Sequence, residues 1–136
     1  MPPLLIGRRI LVAEDEALLA MSVEDELRSA GAEVIGLASS VAEALRLLTA
    51  SPAGNGVDAV VLDLQLRDGF ARPVAERLFS LRIPFVITTG YACPGDEGVF
   101  SGAPCLVKPC RPGDLLMALA DLFGTAAQRG STRPAA

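Results

Sequence analysis

Ala59-Val60-Val61-Leu62 is apolar at all four positions, so a strand with that pattern has no face to turn to water and must be covered on both sides. Runs of strand length also fall at 9–13, 33–37, 84–88 and 105–107. Between and after them lie segments whose apolar residues return at helical spacing: 16–30, 41–49, 72–81, a short one at 96–100, and 112–123. Five successive βα units of this kind predict an α/β fold, a doubly wound parallel sheet of five strands with helices on both faces. The punctuation agrees. Gly31 stops the first helix, Ser40 caps the second with Glu43 three residues on, and Pro112 opens the last.

Such a sheet binds ligands outside the carboxyl ends of its strands, next to the point where strand order reverses. Those ends carry chemistry in this chain. Glu14 and Asp15 follow the first strand, Asp63 the third, Thr89 the fourth and Lys108 the fifth. Lys108 is the only lysine among twelve basic residues. Taken singly, each has an ordinary explanation: an acidic turn capping a helix, a loop carboxylate, a strand-end hydroxyl, a surface cation before a proline. Taken together at one edge, they suggest a phosphoryl-accepting site built around a divalent metal. A hard cation such as Mg²⁺ (or Mn²⁺) takes oxygen ligands and keeps several waters, so Asp15 and Asp63 are expected as direct ligands with Glu14 acting through water. Asp63 is then the nucleophile. Lys108 neutralises charge on the transferring group, Thr89 donates its hydroxyl to a phosphoryl oxygen, and the small Gly90 leaves room for that group to enter.

The acidic pair Glu14-Asp15, the acceptor in Val60-Val61-Leu62-Asp63, Thr89-Gly90 and Lys108-Pro109 form a set that resembles the receiver domain of two-component response regulators. The resemblance covers 9–123, leaving 1–8 as an N-terminal extension and 124–136 as a tail expected to be disordered. It implies a flavodoxin-like (βα)5 fold with strand order 2-1-3-4-5, a sensor histidine kinase or phosphotransfer protein as phosphoryl donor, and the Gln65 backbone carbonyl as a further metal ligand. It also implies a downstream protein partner at the face formed by helix 4, strand 5 and helix 5. Two departures stand out. The loop Asp63-Leu64-Gln65-Leu66-Arg67-Asp68-Gly69 lacks the usual proline and is shorter, and the position three before the lysine, which usually carries a switching Tyr or Phe, is Cys105. The run Pro84-Phe85-Val86-Ile87-Thr88-Thr89-Gly90-Tyr91 is similar to a single-domain subgroup whose fourth strand reads Pro-Phe-x-Phe-Ala-Thr-Gly-aromatic, with Ile87 and Thr88 in place of the second Phe and the Ala. By that likeness Thr89 and Tyr91 share the switching role; the plainer alternative is a half-buried loop tyrosine.

Composition bounds the rest. At 136 residues the chain is expected to hold one domain and no output domain, and with 51% hydrophobic but only 4% aromatic residues its core is aliphatic. A formal charge of −4, with no basic run longer than Arg8-Arg9, gives no electrostatic reason for a nucleic-acid partner. Neither a signal peptide nor a membrane span is evident, so a cytoplasmic location is expected. Three cysteines, Cys93, Cys105 and Cys110, then fit reduced thiols better than a disulfide framework. The absence of histidine excludes Cys/His zinc sites and Ser-His or Cys-His nucleophile pairs.

The expected function is that of a single-domain response regulator, which catalyses its own phosphorylation and dephosphorylation without being a turnover enzyme. Three alternatives fit less well. An aspartate-nucleophile phosphatase of the haloacid dehalogenase type wants Asp-x-Asp after the first strand, where this chain has Glu14-Asp15-Glu16. A flavodoxin-like cofactor binder wants a Ser/Thr/Gly-rich phosphate cradle. A phosphorylation-independent pseudo-receiver would have lost an acid or the lysine, and neither is lost.

Overall fold

The computed structural model describes residues 4–49, 56–95, 97–111 and 113–132, with side chains described as far as residue 124. Its elements run β1 (Arg9–Ala13), α1 (Ala17–Ser29), β2 (Glu33–Ala38), α2 (Val41–Leu48), β3 (Ala59–Asp63), β4 (Gln65–Leu66), β5 (Gly69–Phe70), α3 (Arg72–Leu81), β6 (Phe85–Thr89), a 3₁₀ turn (Gly98–Phe100), β7 (Cys105–Val107) and α4 (Asp114–Thr132). The main sheet has the order β2-β1-β3-β6-β7 with parallel pairing throughout. Apart from the small β4-β5 hairpin, this is the expected 2-1-3-4-5 order with its reversal between β1 and β3.

Alternate residues of the central strands divide between two cores, as the period of two requires. Leu11, Val60, Leu62, Phe85 and Ile87 pack with Leu48, Val74 and Leu78 of α2 and α3. Ile10, Val12, Ala59, Val61 and Val86 pack on the other face with Leu27 of α1 and Leu115 and Leu119 of α4. Full burial of each large aliphatic side chain contributes about 1.5–3 kcal/mol, so the two cores hold the three central strands in fixed register. Helix ends follow their sequence signals. Ser40 Oγ accepts from the Glu43 amide at 3.0 Å, and Glu43 reaches back to the Ser39 amide at 2.9 Å. Gly31 takes φ of +93° after α1, where a Cβ would also stand 2.9 Å from the Ile6 side chain.

Four expectations change. The helix expected near 96–100, the helix 4 of the implied partner face, is a 3₁₀ turn over Gly98–Phe100. Gly98 and Gly102 take left-handed φ values of +59° and +78°, which an α-helix excludes, and Pro94 and Gly95 are poor helix formers. The last helix, expected to end at 123, runs on to Thr132. Ala126, Ala127, Gln128 and Arg129 are strong helix formers that offset Gly124, while 133–136 lie outside the described residues, as does the helix-opening Pro112. The loop after Asp63 folds into the antiparallel hairpin β4-β5, pairing Gln65 with Phe70. Finally, the thiols are not all reduced: Cys93 and Cys105 form a disulfide with Cα atoms 6.0 Å apart, and only Cys110 is free. The cause is tertiary, since pairing of β6 with β7 brings Cys105 beside the loop that leaves β6.

Candidate functional site

Parallel registers bring the strand ends level: Ala13 stands opposite Leu62, Asp63 opposite Thr88, and Thr89 opposite Val107. The side chains that follow are thereby delivered to one edge. Asp63 is the last residue of β3 and is 5% exposed, while Glu14, one residue past β1, is 6% exposed. Carboxylates at that depth need partners. Lys108 supplies them by donating to Glu14 Oε1 at 2.8 Å and to Asp63 Oδ2 at 2.7 Å, so one ammonium bridges the ends of three strands. The Gln65 amide donates to Asp63 Oδ1 at 3.1 Å, and the Glu16 amide to Glu14 Oε2 at 3.1 Å.

Burial pushes the Glu14 carboxyl above its ordinary range, with help from the charge of Asp63 and against the hydrogen bonds from Lys108 and Glu16. For Lys108, burial acts to lower the ammonium pKa, but the hydrogen bonds to Asp63 and Glu14 outweigh it and the pKa is raised. The cation is thus fixed in its charged form.

Asp15 is exposed, yet its carboxylate completes a group with Glu14 and Asp63 in which one oxygen of each lies within 4.8 Å of the others. Three carboxylates against one ammonium leave an excess of two negative charges among hard oxygen donors, and that donor set suits a divalent cation such as Mg²⁺. Gln65 lies two residues past Asp63, at the start of β4.

Thr89, the last residue of β6, is 2% exposed, and its Oγ1 accepts from the Tyr91 amide at 3.0 Å. Its carbonyl accepts from the Lys108 amide at 2.7 Å, which ties β6 to the lysine. Gly90 has open space where a Cβ would be. The Tyr91 ring is 76% exposed, so it is neither half-buried nor packed into the acidic group.

Glu14, Asp15, Asp63, Thr89 and Lys108 therefore do gather at one sheet edge, while the ring of Tyr91 lies outside. Two features at this edge escape the sequence. One is the disulfide. The other is Asp68, whose carboxylate accepts from the Val41 and Ala42 amides at 2.6 and 3.1 Å and so fastens the hairpin to the start of α2. The run Arg67-Asp68-Gly69 carries a turn signal, but the helix it caps is set by the fold.

No family model matches the chain. The transcriptional regulatory protein PdtaR of Mycobacterium tuberculosis is 34% identical over 120 residues, which cover 84% of this chain. This chain spans 56% of the length of that relative. Among solved structures, the non-phosphorylated receiver domain of HemR from Leptospira biflexa superposes with a TM-score of 0.73 at 30% identity, covering 86% of this chain and 94% of that one. SdrG from Sphingomonas melonis Fr1 superposes with a TM-score of 0.71 at 37% identity, covering 86% of this chain and 97% of its own.

Proposed function

The chain belongs to the receiver-domain family of two-component response regulators, and we propose that it accepts a phosphoryl group on Asp63 in a Mg²⁺-dependent (or Mn²⁺-dependent) reaction. One observation supports this above the others: a single ammonium, Lys108, holds both Asp63 and Glu14 at 2.7–2.8 Å beside the exposed carboxylate of Asp15. In this proposal Asp15, Asp63 and the Gln65 carbonyl would hold the metal, with Glu14 acting through water. The ion, when bound, would neutralise charge on the oxygens of the transferring group.

An oxygen of Asp63 attacks phosphorus in line as the bond from phosphorus to the nitrogen of a donor phosphohistidine breaks, and the electron pair leaves with that nitrogen. Lys108, charged throughout, stays at the acceptor carboxylate and offsets the added negative charge. Thr89 turns its hydroxyl to donate to a phosphoryl oxygen, with Gly90 leaving space beside it. The product is a mixed anhydride that water cleaves, which suits a reversible signal.

Phosphoryl donors would be a sensor histidine kinase or a phosphotransfer protein. The consequence is a change in partner binding, or transfer of the group onward in a relay. A downstream protein would meet β7, the start of α4 and, in place of helix 4, the turn at Gly98–Phe100. Tyr91, exposed and two residues from Thr89, would take part in the switch. Among the described residues no helix is long and apolar enough to cross a membrane. The proposal includes neither a membrane nor a nucleic-acid partner, and places the protein in the cytoplasm.

The test is uptake of a phosphoryl group from acetyl phosphate with Mg²⁺, read by intact mass, beside Asp63→Asn. Uptake by the wild type and none by the variant is expected. No uptake from acetyl phosphate or from a panel of phosphorylated kinases would reject the assignment in favour of a phosphorylation-independent interaction module.

A further inference from the structure

We propose that Cys93 and Cys105 form a reversible thiol–disulfide switch that fastens the loop leaving Thr89 to the strand leading into Lys108. Cys105 stands opposite Ile87 in the β6–β7 pairing, two residues before Thr89 stands opposite Val107. From Thr89 the chain passes through Gly90, Tyr91 and Ala92 to Cys93, whose sulfur is bonded to that of Cys105. Three residues on from Cys105, the Lys108 amide donates back to the Thr89 carbonyl at 2.7 Å. A small ring therefore closes through two residues of the candidate site, one side covalent and the other a hydrogen bond. Cys93 is exposed and Cys105 half-buried against the core under α2 and α3, so Cys93 is open to exchange and Cys105 sits where it can resolve it.

The step balances with a low-molecular-weight disulfide as oxidant, for instance glutathione disulfide. The Cys93 thiolate attacks it, forms a mixed disulfide and releases one thiol. The Cys105 thiolate then displaces the second thiol and closes the bond. Two electrons leave the protein, and its two thiol protons end on the two released thiols. A dithiol reverses the sequence. In a reducing compartment, disulfides that do form are mostly transient and regulatory, which fits a bond with one exposed sulfur.

The consequence rests on the phosphoacceptor role of Asp63, whereas the bond does not. If Thr89 moves toward a phosphoryl group, residues 90–93 must follow, and the disulfide fixes their far end. Oxidation would then restrain the response at the loop without touching Asp63 or Lys108.

The full chain, equilibrated with glutathione disulfide or with dithiothreitol, is alkylated and weighed intact, and amide exchange is followed at 90–93 and 97–104. One alkylation after oxidation and three after reduction are expected, with loop exchange about tenfold slower in the oxidised form. Cys93→Ser should show two alkylations and the same exchange under both conditions. Three alkylations after oxidation, pairing through Cys110, or equal exchange in the two wild-type forms would overturn the switch. Acetyl phosphate with Mg²⁺ is then added to each form. Uptake in both, with the loop response confined to the reduced form, supports the proposal, and the same response in both forms overturns it. Absence of uptake in both forms removes the phosphoacceptor assignment and its consequence, while the alkylation and exchange results still decide the redox pair.

Discussion

The two halves of the functional edge are built differently. On the β1/β3 side, Glu14 and Asp63 leave strands flanked by neighbours on both sides, are buried, and share one ammonium. Beyond β6, the described residues of 90–104 hold a single 3₁₀ turn, anchored by the buried Phe100 against Phe70 at 6.5 Å and tied by the Cys93–Cys105 bond. Under the proposed function, the difference teaches that the chemical site and its readout need different mechanical properties. Groups that must meet a small anion belong where the sheet leaves them no freedom, whereas a surface that must change belongs where little regular structure resists it.

The largest effect should come from the rigid half. Leu62→Ala removes a fully buried side chain next to the proposed acceptor Asp63 and should lower stability by about 2–5 kcal/mol in urea unfolding. A loss well below 1 kcal/mol would mean that β3 is not the fixed platform described. Lys108→Ala should slow phosphoryl uptake from acetyl phosphate by about 10²–10³-fold, the usual cost of removing a positioned donor to a developing charge. In the same assay Tyr91→Ala should leave the uptake rate unchanged, because its ring is exposed; a comparable drop would erase the division between chemistry and readout.

Smaller effects locate the boundary between the halves. Ser40→Ala removes the α2 cap and should cost about 1 kcal/mol without altering uptake at saturating Mg²⁺. The smallest effect is pH-dependent. The Val41 amide, ahead of the Ala42 amide, holds the Asp68 carboxyl below its ordinary range. Its folded-state pKa therefore lies below the unfolded one, so the stabilisation is present above the unfolded-state value and is lost as pH falls through the folded one. Asp68→Asn should be slightly less stable than wild type near neutrality and converge with it in acid. A gap that persists through that acid range would show that the charge at 68 does not fasten the hairpin to α2.

How legible each half was in sequence follows the same line. Asp63 and Lys108 could be placed because a strand end is a local property, marked where an apolar run stops, and in a doubly wound sheet all such ends share one edge. The two-sided burial of Ala59–Asp63 was likewise written in its unbroken apolar run. Cys93 and Cys105 could not be paired in advance, because their meeting depends on how β6 pairs with β7. Nor could Asp68 be assigned to α2, since the contact spans 27 positions and depends on a hairpin that the short loop forms. The 3₁₀ turn at Gly98–Phe100, where a short helix was expected, was only half visible. Gly95, Gly98 and Gly102 argue against it, while Val99 and Phe100 supplied enough apolar character to suggest a turn of helix.

The central claim is that Asp63, alone among three adjacent carboxylates, is the one that reacts. Phosphorylated protein treated with borohydride should have its acyl phosphate reduced to an alcohol, and peptide sequencing would then find homoserine at position 63 with aspartate intact at 15 and glutamate at 14. Reduction at position 14 or 15, or phosphoryl uptake that leaves position 63 unreduced, would contradict the account.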